Sequence, residues 1–163
     1  VKERVAKAGV AVFIFNKKGQ LLLGKRIHKY PEYGSGKWQI SGGKVTHLNG
    51  SWMDSAVREV KEETNLIVKV KDLKFVTTFD AQYPNLDIHY VCSFFMTQKF
   101  SGKLKNVEPK KNEGWKWFDL ESVPENTFMN LRSIISDNYI NWTIAIDGLK
   151  MTDRGYERFI QGK

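Results

Sequence analysis

The chain has a single cysteine, Cys92, in 163 residues. An internal disulfide is thereby excluded, and the composition fits a reducing compartment. No apolar run approaches the roughly 20 residues that a membrane-spanning helix needs, and no signal peptide is visible at the start. The expectation is a soluble, cytoplasmic protein without a membrane partner. Histidine is also scarce: His28, His47 and His89 have no metal-ligand spacing and are expected to be structural or exposed. There is no internal repeat, no low-complexity linker and no nucleic-acid-binding motif. Acidic residues are the minority, 18 against 26 basic ones, which leaves a net charge of +8. That excess fits an anionic substrate or simply a lysine-rich surface. Lys69, Lys71, Lys74, Lys103, Lys105, Lys110 and Lys111 are scattered over predicted strands and loops.

The residues that are present suffice for a full core, with 41% hydrophobic and 13% aromatic. Alternating apolar runs bounded by turn residues predict strands near 5–15, 20–26, 37–41, 66–71, 73–83, 87–99 and 114–118. Helical periodicity predicts helices over 51–64 and 127–137, with one or two short helices after them and a break at Asp147-Gly148. A mixed sheet with helices on its faces follows, in a single domain over 1–163 with its core at about 5–136. Residues 137–163 are expected to form a helical extension. Its apolar side chains, among them Trp142, Ile146, Tyr156 and Phe159, could cover the domain, cap a cleft or meet a second subunit.

The chemistry concentrates in one helix. Glu59, Glu62 and Glu63 stand at i, i+3 and i+4 and project from one face. Crowded carboxylates repel one another, and exposed pairs with Arg58 or Lys61 offset little of that. A hard divalent cation removes the conflict, since magnesium takes oxygen ligands from one or two carboxylates, water and phosphate. Ser51 and Asp54 form an N-cap box, Met53, Ala56, Val57 and Val60 form the apolar stripe, and Asn65 is placed to cap the C-terminus. The carboxylates are offset from that stripe by roughly a third of a turn, so they can border a cleft while the helix stays anchored. Upstream, Trp38-Gln39-Ile40-Ser41 runs into Gly42-Gly43, where missing side chains let backbone approach a ligand. An isolated Glu-Val-Lys-Glu-Glu turn is more often a solvated face. The flanking cap, strand and glycine pair favour a site.

This arrangement resembles the Nudix hydrolases, whose signature is a glycine, five residues, a glutamate, seven residues, then Arg-Glu-aliphatic-any-Glu-Glu-any-Gly-aliphatic. Arg58, Glu59, Val60, Glu62, Glu63 and Leu66 fit it. Asn65 replaces the signature glycine, Gly50 stands where the upstream glutamate belongs, and a one-residue insertion within 46–49 aligns Gly43. Leu22-Leu23-Gly24-Lys25-Arg26, His89-Tyr90-Val91 and Glu113-Gly114-Trp115-Lys116-Trp117-Phe118 are most similar to MutT-like nucleoside triphosphate pyrophosphohydrolases of the MutT homologue 2 type.

The resemblance implies an α/β/α sandwich with a mixed β-sheet and a magnesium-dependent phosphoanhydride hydrolase, with manganese as a substitute metal. Its leading substrate is a nucleoside triphosphate, normal or oxidised, cleaved to monophosphate and pyrophosphate. Two alternatives stay open: a nucleoside diphosphate sugar or similar diphosphate, and a catalytically weak nucleotide- or RNA-binding module. Capped RNA remains a further candidate substrate, and a homodimer fits the habit of many relatives. The candidate metal ligands are Glu62, Glu63, the Gly42 carbonyl and Glu59, with Glu59 alternatively the base. Arg58 would orient the carboxylates. A glutamate on a late loop completes such sites, and Glu113 is preferred to Glu108. Arg26 is the candidate for a phosphate, Gln39 for a base edge, and Gly43 for close backbone approach. Phe128, Met129 and Leu131 have the spacing of core packing, yet by resemblance they lie at the base pocket. Cys92 borders the pocket or is a small buried hydrophobe; no motif sets a base beside it.

Overall fold

The computed structural model describes residues 5–29, 34–46, 50–83 and 88–149. Among these residues seven strands and two α-helices follow one another: β1 (Lys7–Ile14), β2 (Leu21–Arg26), β3 (Trp38–Gln39), β4 (Ser41–Lys44), α1 (Trp52–Thr64), β5 (Lys74–Tyr83), β6 (Ile88–Thr97), β7 (Asn112–Phe118) and α2 (Met129–Ala145). A four-stranded sheet has the order β4-β1-β6-β5, and a three-stranded sheet the order β3-β2-β7. β1 runs parallel to β6 and antiparallel to β4, so the larger sheet is mixed. Among the described residues no helix is long and apolar enough to cross a membrane.

Strand alternation explains the layering. Val10, Val12 and Ile14 of β1 point to one face and join Ala56 and Val60 of α1, with Leu66 and Phe95. Phe13 and the adjoining Phe15 point to the other face and join Leu131, Ile135, Tyr139 and Trp142 of α2. One helix therefore covers each face, as expected for an α/β/α sandwich. α1 begins with the reciprocal bonds of the capping box between Ser51 and Asp54, and ends at Asn65 in the left-handed conformation (φ 63°), whose N–H reaches the Lys61 carbonyl.

Three expectations are corrected. The segment 37–41 is two strands in different sheets, because the chain turns at the buried Ile40; Gly42 and Gly43 lie inside β4, paired with Ala11 and Val10. The segment 66–71 is not a strand. Leu66 and Val68 are buried, but only Ile67 bridges to a neighbour, Ser101, and a 3-10 turn follows at Val70–Asp72. The second helix does not stop at 137, since nothing before Asp147-Gly148 breaks it. Its later residues Tyr139 and Trp142 are 1% and 2% exposed inside the main core. Tyr156 and Phe159 lie outside the described residues.

Candidate active site

α1 lies against β4, and this contact builds the site. Glu63 reaches Ser41 and Gly42: its Oε2 accepts the Ser41 hydroxyl at 2.6 Å and the Gly42 N–H at 3.0 Å. Both bonds favour the ionised form, yet burial outweighs them and pushes the carboxyl up to about 7, with a smaller push from Glu59 and Glu108. Glu59 rests on Gly43. A Cβ at that position would lie 2.5 and 2.6 Å from the two carboxylate oxygens, so any other residue there would displace them from this position. Burial raises the Glu59 carboxyl as well, and the adjacent Arg58 opposes the shift.

Arg58 ties the cluster together. Its guanidinium donates to Glu59 Oε1 and Glu62 Oε2, each at 2.7 Å, and to the Lys44 carbonyl at 3.3 Å. Glu62 is the more exposed partner, its side chain 52% accessible. Because Gly42 turns its N–H toward Glu63, on the edge of β4 away from β1, strand geometry sends its carbonyl to that same edge. Among the described residues no three acidic, histidine or cysteine side chains converge on one point. The donor set nonetheless suits a hard divalent cation: part-buried carboxylates with raised proton affinity, a glycine cradle that a Cβ would fill, and an outward carbonyl, all oxygen. Gly50 precedes the helix cap, with no carboxylate to add.

The late loop brings Glu108, the second of the two candidate glutamates, to the cleft. Lys105 and Val107 donate their N–H groups to the carbonyls of Thr64 and Glu63, at 2.9 and 3.2 Å, which lays the loop along the end of α1. Glu108 thereby enters a narrow cleft of about 30 Å³ with Glu63, Arg26, Gln39, Lys111 and Trp115. Lys111 Nζ stands 2.6 Å from its carboxylate. Glu113 instead alternates outward from the buried Asn112 on β7 and pairs with Lys25 at 2.9 Å. Glu108 therefore lines the cleft beside Glu63, and Glu113 is not among its lining residues. The indole N–H of Trp115 is buried at this cleft without a hydrogen-bond partner among the described residues.

Across β4 opens a cavity of about 480 Å³, bordered by Gly42, Gly43, Arg26 and Gln39. Arg26 and Gln39 line both spaces, joined by an Nη1 to Oε1 bond of 3.3 Å, and the Arg26 guanidinium sits 6.0 Å from the Phe128 ring centre. Leu131 is 3% exposed, belongs to the core and also lines the cavity. The Met129 side chain lies outside the described residues, as does His47. Cys92 lines the cavity, and burial raises its thiol pKa.

Sequence reasoning missed Phe79, Ala81, Tyr90, Phe94 and Asn130 on the cavity wall. Four of them alternate along β5 and β6, so strand parity, applied with Cys92 as the marker of the inward face, was the available signal. His89 pairs with Asp80 at 2.5 Å.

Known proteins share this framework. An RNA pyrophosphohydrolase of Bartonella quintana (strain Toulouse) is 30% identical, covering 71% of this chain and 77% of its own. An ADP-ribose pyrophosphatase of Methanocaldococcus jannaschii is 35% identical over 55% of this chain and about half of its own, 49%. The crystal structure of a MutT NUDIX hydrolase from Burkholderia pseudomallei superposes with a TM-score of 0.71 at 26% identity, covering 80% of this chain and 96% of that one. The NUDIX domain model matches residues 5–137, which span both faces of the sandwich and the glutamate helix. The chain thus belongs to the Nudix hydrolases, a family that generally uses divalent metals, and is an enzyme for pyrophosphate-bond substrates.

Proposed function

We propose that the protein hydrolyses a nucleoside triphosphate to the monophosphate and pyrophosphate, with magnesium as its metal and manganese as a substitute. The supporting observation is one strand with two functional faces. β4 borders the apolar cavity on one side and receives Glu59 and Glu63 on the other, with Arg26 and Gln39 at the junction. A volume of about 480 Å³ falls within the range of small-molecule sites, roughly 300–1,000 Å³. Phe79, Phe94, Phe128 and Leu131 offer the base an apolar wall, and the Gln39 amide offers its edge a polar partner.

Glu59, Glu63 and the Gly42 carbonyl would hold the metal, with Glu62 on the exposed side. When bound, magnesium neutralises phosphate oxygens and makes a coordinated water more acidic. Arg58 fixes Glu59 and Glu62 in position through its two 2.7 Å bonds. Arg26 binds phosphate as the chain leaves the cavity, and Glu108 faces the cleft where a carboxylate oxygen can take the proton of the attacking water.

A 5′-triphosphate on RNA is the second reading, favoured by the similarity to the Bartonella RNA pyrophosphohydrolase. The test is a magnesium-dependent assay over free triphosphates and 5′-triphosphorylated RNA, with product identification. Pyrophosphate and a 5′-monophosphate are expected, no turnover in Glu63→Gln, a loss of about 100-fold in Glu108→Gln, and near-native rates in Glu113→Gln. Nucleotide binding without turnover by the native protein would sink the proposal.

A further inference from the structure

Folding gathers most of the protein's net positive charge, though only eight of its 26 basic residues, on one surface. Residues 65–74 hold Lys69, Lys71 and Lys74 against Asp72, and residues 99–111 hold Lys99, Lys103, Lys105, Lys110 and Lys111 against Glu108. Eight lysines less two acids place +6 of the net +8 on these two segments. All eight lysines are exposed. β5 and β6 separate the segments in sequence, which is why no charge run announces them, yet they lie side by side in space. Ile67 and Ser101 exchange backbone bonds of 2.9 and 3.0 Å, and Asn65 donates to the Lys103 carbonyl at 2.9 Å. Lys99 stands 3.7 Å from Asp72.

The surface leads away from the carboxylates in steps. Lys111 and Glu108 line the cleft beside Glu63; Val107, Lys105 and Lys103 follow against Glu63, Thr64 and Asn65; Ser101 meets Ile67; and Lys99 meets Asp72. At the far end Phe75, next to Lys74, is 63% exposed. A free triphosphate is served by the cations at the cleft, Arg26 and Lys111, which leaves the lysines beyond the Ile67–Ser101 bridge with no role in that reaction.

We propose that this surface binds single-stranded RNA whose 5′-polyphosphate end lies at the carboxylate cleft. The proposal rests on the hydrolase reading above and extends it from the reacting end to the strand behind it. Lysines spaced along a surface neutralise successive phosphates and release their counterions. An exposed aromatic ring beside them is a stacking platform for an unpaired base, which favours a single strand over a duplex.

The test uses the intact protein, a short 5′-triphosphorylated oligoribonucleotide, a free nucleoside triphosphate and anionic lipid vesicles. The variant Lys69→Glu/Lys71→Glu/Lys74→Glu/Lys103→Glu touches none of the cleft residues and leaves Lys105, whose loop contact places Glu108, intact. It is expected to weaken RNA binding at least ten-fold at low salt and to flatten the dependence of log affinity on log salt, by about 0.7 for each phosphate that is no longer neutralised. Its turnover of the free triphosphate stays native, which also shows that it folds. Phe75→Ala is expected to weaken RNA binding several-fold without altering the salt slope. Native RNA affinity in the charge-reversed protein overturns the proposal, as does lysine-dependent binding to vesicles but not to RNA. Lysine-dependent RNA binding with no hydrolysis of either substrate would keep the surface and remove the hydrolase reading.

Discussion

Glu63 is held by two donors that favour its charge and by burial that opposes it more strongly, leaving its carboxyl at about 7 rather than the ordinary 4.5. The folded metal-free protein therefore retains a proton there over a window in which the unfolded chain has lost it. This group's contribution to stability is complete below 4.5, is lost as pH rises to about 7, and changes no further above that. A divalent cation competes for the same oxygens, so metal affinity rises with pH through the same window. Thermal melts of the metal-free protein are expected to fall across it, magnesium is expected to restore the loss, and Glu63→Gln, uncharged and nearly isosteric, is expected to flatten both trends. A Glu63→Gln protein with the native pH profile would exclude this residue as the source. The grouping of Arg58, Glu59, Glu62 and Glu63 on one helix face was legible from spacing because helical geometry is local. Glu108 was not, because its place depends on Lys105 and Val107 pairing with the end of α1, a contact between segments distant in sequence.

The same division between local and long-range control runs through the elements. α1 was readable to within a residue, since its N-cap, stripe and C-cap all lie in its own sequence. The segment 66–71 has the alternation of a strand, with Leu66 and Val68 inward and Ile67 outward, but strand formation needs a neighbour with free edge groups, and only Ser101 provides one. α2 was read too short because its ending was drawn from pattern rather than from a breaker. Trp142, in its second half, packs on Phe13 and Phe15 at ring-centre distances of 5.0 and 5.3 Å. That half is core and not appendage. Trp142→Ala is accordingly expected to cost about 3–5 kcal/mol, read by urea denaturation. A loss below about 1 kcal/mol, the scale of a surface substitution, would show that residues beyond 137 merely rest on the domain.

At the scale of the molecule, the central sheet is shared property. Successive residues of β1 and its continuation feed opposite cores, Val12 and Ile14 toward α1, Phe13 and the adjoining Phe15 toward α2, so both cores pack on the same strand. The layering followed from composition and periodicity, whereas the collection of lysines on one surface did not, because charge has no period and reveals its grouping only when segments 65–74 and 99–111 meet. The shared sheet predicts one cooperative unit. Leu66→Ala in the α1 core and Trp142→Ala in the α2 core are each expected to lower a single unfolding transition, with far-ultraviolet ellipticity and tryptophan fluorescence still coincident. The fluorescence probes both sides, since Trp115 and Trp117 pack with the α1 core and Trp38 and Trp142 with the α2 core. Separate transitions, with one substitution shifting one and leaving the other unmoved, would mean that the two faces fold as distinct units and that β1 does not couple them.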